Sequence, residues 1–138
     1  MTEVNGTLVD TNVLFDLLSE DQEWADWSAA MLSDAAEAGP VVINPIIYAE
    51  LAVRYDRIED LDIVLPTEYF VRADLPWDAA FLAAKCFERY RRHGGKRAST
   101  LPDFFIGAHA AVAGLTLLTR DARRYKTYFP RLDILSPS

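Results

Sequence analysis

Four acids stand in four short segments, each beside an apolar run: Asp10 in "TLVDTN" (7–12), Glu50 in "YAEL" (48–51), Asp103 in "LPDFF" (101–105) and Asp121 in "LLTRD" (117–121). Taken singly, each fits a structural role. Asp10 suits an Asx-turn after a strand, Asp103 and Asp121 suit helix N-caps, and Glu50 suits a solvated helix face. Taken together they suggest chemistry. Carboxylates gathered in one place repel one another unless a cation neutralises them. Hard oxygen donors with no Cys or His pair beside them favour Mg²⁺ or Mn²⁺ over zinc. An ion held by few protein ligands keeps positions open for water and a phosphate oxygen, as metal-assisted hydrolysis of a phosphodiester requires.

For the acids to meet, the elements that carry them must bring them to one place. Short apolar runs alternate with amphipathic stretches along the chain. Strands are predicted at 7–10, 40–44 and 115–119, with weaker ones at 67–72 and 131–135. Helices are predicted at 13–20, 21–39, 45–55, 56–64, 77–92 and 103–114. Helix 21–39 carries Trp24, Trp27, Met31 and Ala35 as its apolar stripe and Gly39 as its stop. Pro45 sits at a favourable first helical position. Residues 96–102 read as an exposed loop. Buried strands separated by helices imply an α/β fold: a mostly parallel sheet of four to five strands with helices on both faces. Ligands of such open sheets bind at the carboxyl ends of the strands. Asp10 ends the first strand and Asp121 follows the strand 115–119, which puts both on one edge.

The length of 138 residues predicts a single domain, 1–138, and 51% hydrophobic residues exclude a disordered chain. The single cysteine, Cys86, rules out an internal disulfide and fits a reducing cytoplasm. Neither a secretory signal nor a membrane span is read from the sequence. The net charge of −7 argues against a nucleic-acid partner until its distribution is considered. Residues 1–78 hold 17 acids against Arg54, Arg57 and Arg72, a balance of 3 − 17 = −14. Residues 79–138 hold 11 bases against 4 acids, a balance of +7. Ten of the bases lie in "RYRRHGGKR" (89–97) and "RDARRYKTYFPR" (120–131). Each segment reads as a solvated face or as a nucleic-acid contact, with neighbouring aromatic rings as stacking surfaces for bases.

At this point the sequence resembles the PIN-domain ribonucleases, and among them the VapC toxins of bacterial toxin–antitoxin pairs. "LVDTNVLFDLL", "NPIIYAEL", "LPDFFIGAHA" and "LLTRDARRYKTYFP" are similar to the signature blocks of that family, in the same order and each with its acid. The resemblance spans residues 7 to about 135. It implies a Mg²⁺-dependent RNA endonuclease, with Mn²⁺ as a substitute ion, that leaves 5′-phosphate and 3′-hydroxyl ends. Carried over residue by residue, Asp10 and Asp103 become direct metal ligands, and Glu50 and Asp121 ligands through water or to a second ion. Thr11, Asn12 and Thr119 support the site. Apart from the resemblance, Arg91, Arg92, Lys96 and Arg97 flank the double glycine before Asp103, and Arg120, Arg123, Arg124 and Lys126 surround Asp121, so these eight bases read as the RNA-binding residues. The resemblance further implies a homodimer and a small VapB-type antitoxin, for which the acidic half of the chain is a suitable surface.

Other residues carry less. His93, in a basic loop, reads as facing solvent or phosphate. His109, in an Ala-rich helix, reads as a hydrogen-bonded core residue, and Cys86 as packing. Trp24 and Trp27 pack on neighbouring helices or, where exposed, offer a groove for a partner helix. No Gly-x-Ser-x-Gly elbow supports a hydrolase triad. Two other readings compete. A receiver-like phosphoryl-accepting domain also places an Asp at a strand end beside Mg²⁺, but it needs an acidic pair after the first strand and a lysine after the last, where this chain has "SPS". A PIN fold kept only for binding is opposed by the intact set of four acids.

Overall fold

Leu8 and Val9 are completely buried, and so are Leu117 and Leu118. These residues form two adjacent central strands, each covered on both faces, and the rest of the fold is built outward from them. The structure, a computed structural model, describes residues 6–19, 23–95 and 101–137. Five strands, β1 (Thr7–Val9), β2 (Val41–Ile43), β3 (Phe70–Arg72), β4 (Thr116–Leu118) and β5 (Ile134–Leu135), make one sheet in the order β3-β2-β1-β4-β5. Every pairing is parallel. The expected α/β architecture is therefore present, with all strands parallel. A receiver-type sheet runs 2-1-3-4-5, so the observed order removes that competing reading.

The register aligns the carboxyl ends of the strands. Val9 pairs with Leu118, and Ile43 with Arg72. The Asp10 N–H continues the ladder by donating to the Leu118 carbonyl at 2.8 Å. The residues that leave these strands, Asp10, Asn44 and Thr119, thus share one edge.

Helices α1 (Thr11–Leu18), α2 (Ala25–Ala38), α3 (Pro45–Ala52), α4 (Ile58–Val64), α5 (Trp77–Arg92), α6 (Leu101–Ala113) and α7 (Arg123–Tyr128) complete the described elements. Asn44 caps α3 by accepting from the Ile47 N–H at 2.9 Å, with Pro45 at the first helical position. Such a cap is worth about 1 kcal/mol. Gly114 stops α6 in the left-handed region at φ 70°, where a side chain would be strained. Gly107 is required for another reason: a Cβ there would stand 2.5 Å from the Phe129 ring. The missing side chain lets α6 lie directly on the residue that ends α7.

Some expectations are corrected. Helix α6 starts at Leu101, so 101–102 are helical and not loop, and 96–100 lie outside the described residues. The buried stripe of α2 is Ser28, Leu32 and Ala35, while Trp24, Trp27 and Met31 are only partly covered. Trp24 precedes the helix and packs edge-on against Trp27, with centroids 6.1 Å apart. Trp27 and Met31 border the buried stripe and pack against the core from its side. Tyr125, Tyr128 and Phe129 are buried, so they form the inner face of α7 and are not stacking surfaces. Among the described residues, no helix is long and apolar enough to cross a membrane.

Candidate acidic active site

Asp10, Glu50, Asp103 and Asp121 line one cleft of about 220 Å³ at the carboxyl edge of the sheet, together with Thr11, Asn12, Phe15, Arg124 and Tyr125. Four different elements supply the acids. Asp10 ends β1 and caps α1, its Oδ1 accepting from the Thr11 N–H at 2.7 Å. Glu50 lies in the second turn of α3, Asp103 in the first turn of α6, and Asp121 in the loop between β4 and α7. The structural and the chemical readings of Asp10 are thus compatible: a single carboxylate caps a helix with one oxygen and faces the cleft. The amino ends of α1 and α6 both lie here, and their partial positive charge favours anions.

Asp10 is almost fully buried. Burial raises its pKa, and donors from Thr119, Tyr125 and Thr11 oppose that shift. Its Oδ2 accepts from the Thr119 hydroxyl at 2.8 Å and from the Tyr125 hydroxyl at 2.9 Å. The Thr119 oxygen in turn lies 3.3 Å from Asn12 Nδ2, and Asn12 Oδ1 accepts from the Arg120 N–H at 3.1 Å. Thr11 donates its hydroxyl to Glu50. Thr11, Asn12 and Thr119 each bond to an acid or to another member of this network. Tyr125 was missed. Burial and the carboxylates of Asp10 and Asp103 push its pKa well above the usual phenol value, so it stays protonated and donates.

Asp103 forms an ion pair with Arg124, whose Nη1 lies 2.7 Å from Oδ2. Burial and the carboxylate of Asp10 raise Asp103 to a pKa of about 7 in spite of that arginine, and Glu50 and Asp121 push in the same direction. Four carboxylates share the cleft with one guanidinium, and the ligand atoms they offer are all hard oxygens. Both features fit a divalent cation. Among the described residues, however, no three His, Cys, Asp or Glu side chains converge closely enough to hold an ion between them. Asp103 is drawn to Arg124, Asp10 is held by Thr119 and Tyr125, and Glu50 by Thr11. Binding a metal here requires the Asp103 side chain to leave Arg124 or share it.

The sequence matches the PIN domain over residues 7–130. The chain belongs to the PIN-domain family. No curated protein matches it in sequence. Solved structures do match its fold. VapBC2 from Rickettsia felis, bound to a DNA fragment from its promoter, superposes with a TM-score of 0.70 at 18% identity, covering 94% of this chain and 97% of that one. VapBC-1 from nontypeable Haemophilus influenzae gives 0.71 at 19%, covering 94% and 96%. A toxin–antitoxin complex from Klebsiella pneumoniae gives 0.64 at 25%, covering 96% and 98%.

The basic residues of this PIN domain divide into several groups. Lys96 and Arg97 lie outside the described residues. Arg91, Arg123 and Lys126 are exposed, and Arg92 is exposed in a helix pair with Glu88 at 3.6 Å. Arg124 lines the acidic cleft. Arg120 is placed differently from the expectation that it meets RNA. Its guanidinium makes a two-point pair with Asp16, at 2.8 and 3.0 Å, while Asp16 is buried and also accepts from Ser28 at 2.8 Å. Arg120 thus ties the loop after β4 to α1.

Two further residues have structural explanations. His109 is buried, and burial lowers its pKa. Asn44 Oδ1 is fixed by capping Ile47, so its Nδ2 faces His109 Nδ1 at 2.9 Å and donates to it. His109 is a neutral core residue that joins α6 to the end of β2. Cys86 is buried, its pKa raised by burial, and it packs against α7 with Sγ 3.6 Å from the Tyr128 carbonyl.

Proposed function

We propose that this protein is a Mg²⁺-dependent RNA endonuclease, the toxin of a VapBC-type toxin–antitoxin pair. The observation that carries the reading is that four acids, from four separate elements, line one cleft at the carboxyl edge of a parallel sheet. Mg²⁺, or Mn²⁺ in its place, would supply a water acidic enough to attack phosphorus and positive charge for the leaving oxygen. Asp10 and Asp103 would hold the ion directly, with Glu50 and Asp121 acting through water or on a second ion. Thr119 and Tyr125 fix the Asp10 carboxylate, Thr11 fixes Glu50, and Asn12 positions Thr119. The amino ends of α1 and α6 and the exposed arginines draw the phosphate backbone toward a pocket that would otherwise repel it.

The proposal extends to partners. The structural relatives are toxin–antitoxin assemblies, which supports an antitoxin for this chain, drawn to the acidic residues 1–78. A homodimer, a single domain over 1–138 and residence in the cytoplasm complete the reading.

One observation favours a second reading, a PIN fold that binds without cutting: Arg124 holds Asp103, and no three acids converge among the described residues. The experiment that separates the two readings incubates purified protein with transfer, ribosomal and messenger RNA, with Mg²⁺, with Mn²⁺ or with EDTA, beside Asp10→Asn. The nuclease reading expects metal-dependent cuts with 5′-phosphate ends that vanish in the variant. Intact RNA of all three classes with both metals would leave the binding reading in its place.

A further inference from the structure

A second cleft, of about 370 Å³, adjoins the acidic one. Asp121 and Arg124 line both clefts and so form a common wall. On one side Arg124 pairs with Asp103 at 2.7 Å; on the other its guanidinium lies over the Tyr90 ring, 5.4 Å from the centroid. The remaining lining includes His93, Arg123, Thr127 and Tyr128. His93 Nδ1 lies 3.2 Å from the Tyr128 hydroxyl, and the two rings are within 29° of parallel. This contact sets the orientation of the imidazole and leaves Nε2 without a partner among the described residues. Arg123 is exposed and has no ion pair among the described residues. Asp121 is the only acid lining this cleft among the described residues.

The chemistry selects an anion. Arg123, Arg124 and His93 are donors suited to phosphate oxygens, and they outnumber the one carboxylate. Neither tyrosine of the lining offers a free ring face to a base. Tyr128 is buried, and the Tyr90 ring already contacts Phe87, Phe104 and Arg124. We propose that this cleft holds a second backbone phosphate of the RNA strand, next to the phosphodiester that lies at the four acids. The inference rests on the RNA-cleaving reading and adds a subsite to it, with His93 and Arg123 as positioning residues.

The test has two arms. The chain has only two histidines, His93 and His109, so their ring signals are separable by NMR, and the buried His109 serves as an internal reference. Metal-free protein in EDTA is titrated with inorganic phosphate and with a nucleoside 5′-monophosphate. His93 signals should shift and saturate while His109 stays still, and Arg123→Ala should weaken the response about tenfold, the effect of losing one charge-assisted hydrogen bond. In the second arm, short RNAs carry one neutral methylphosphonate beside the scissile position, and binding is measured with Asp10→Asn protein so that nothing is cut. Neutralising that linkage should weaken binding about tenfold with Arg123 present and have little further effect in an added Arg123→Ala background.

Unmoved His93 signals, or equal sensitivity to the methylphosphonate with and without Arg123, would overturn the subsite. A protein that shows the His93 response but cuts no RNA with any metal supports the phosphate site and overturns the nuclease reading instead.

Discussion

Arg124 Nη1 stands 2.7 Å from Asp103 Oδ2, so a cation of the chain itself is paired with one of the four acids of the cleft. Asp103 nevertheless has a pKa of about 7, because burial and the neighbouring carboxylates outweigh the arginine. A metal ion taking Asp103 as a ligand would have to compete with Arg124 for the same carboxylate.

The first prediction is a pH dependence of stability. The folded pKa of Asp103 lies above its unfolded value of 3.8, at about 7. As pH rises through that window the unfolded chain loses the proton first, so metal-free stability falls from about pH 4 to about pH 7 and levels off above it. Asp10, also raised, acts in the same direction. Asp103→Asn should flatten the decline and melt above wild type at pH 8. Arg124→Ala should steepen it. Melting curves in EDTA from pH 4 to pH 8 measure this, and parallel slopes in wild type and Asp103→Asn would contradict the assigned shift.

A second prediction concerns Tyr125. Its hydroxyl donates to the buried Asp10 carboxylate at 2.9 Å, while its ring packs beside Gly107. Tyr125→Phe keeps the ring and removes the donor. It should cost about 1–2 kcal/mol in urea unfolding at pH 7 and weaken Mg²⁺ binding measured by calorimetry. Unchanged metal binding would show that Thr119 and the Thr11 N–H suffice to hold Asp10 in place.

These residues also show what could be read from the chain. Strands β1, β2 and β4 were legible because each is a short apolar run followed by polar residues, and the shared edge of Asp10 and Asp121 was legible because each follows such a run. Tyr125 was hidden among basic neighbours that suggest a surface. The spacing of Tyr125, Tyr128 and Phe129, three and four residues apart, is the signal of a buried helix face that would have revealed it. The pair Arg120–Asp16 spans 104 residues, and no local pattern announces a partner that far away. The α2 stripe was misread because tryptophans dominate any apolar count even when, as here, they lie at a helix start.

A third prediction concerns the basic segment after α5. Arg91 and Arg92 are exposed at the end of that helix. Neutralising Arg91, Arg92, Lys96 and Arg97 together should weaken RNA binding and reduce the log–log salt slope by about 0.7 for each phosphate that these side chains no longer neutralise. The melting temperature should hardly change, since exposed charges contribute little to stability. Binding titrations at several salt concentrations give the slope, and an unaltered slope assigns these four residues to a solvated face.

The last prediction separates Arg120 from the arginines around it. By sequence Arg120, Arg123 and Arg124 look alike, one cluster beside Asp121. By structure Arg120 alone pairs with a buried acid: Asp16 keeps only 3% of its side chain exposed and accepts two of the Arg120 donors. Removing the guanidinium leaves Asp16 buried with Ser28 as its only other hydrogen-bond partner among the described residues. Breaking a buried pair on one side typically costs about 3–5 kcal/mol. The Arg120 side chain is 32% exposed, and water reaching Asp16 through the vacated space offsets part of that. Arg120→Ala should therefore destabilise by about 3 kcal/mol, whereas Arg123→Ala, at an exposed site, should cost under about 0.5 kcal/mol. RNA binding should respond in the opposite order, with Arg123→Ala weakening it and Arg120→Ala leaving it near wild type when measured well below the variant's melting temperature. Asp16→Asn with Arg120→Ala should recover part of the lost stability, because the uncompensated charge is gone. Urea unfolding of wild type, the two single variants and the double variant measures the effect. If Arg120→Ala proves stable and salt-sensitive in its RNA binding, the guanidinium belongs to the RNA surface after all, and its pairing with Asp16 contributes little.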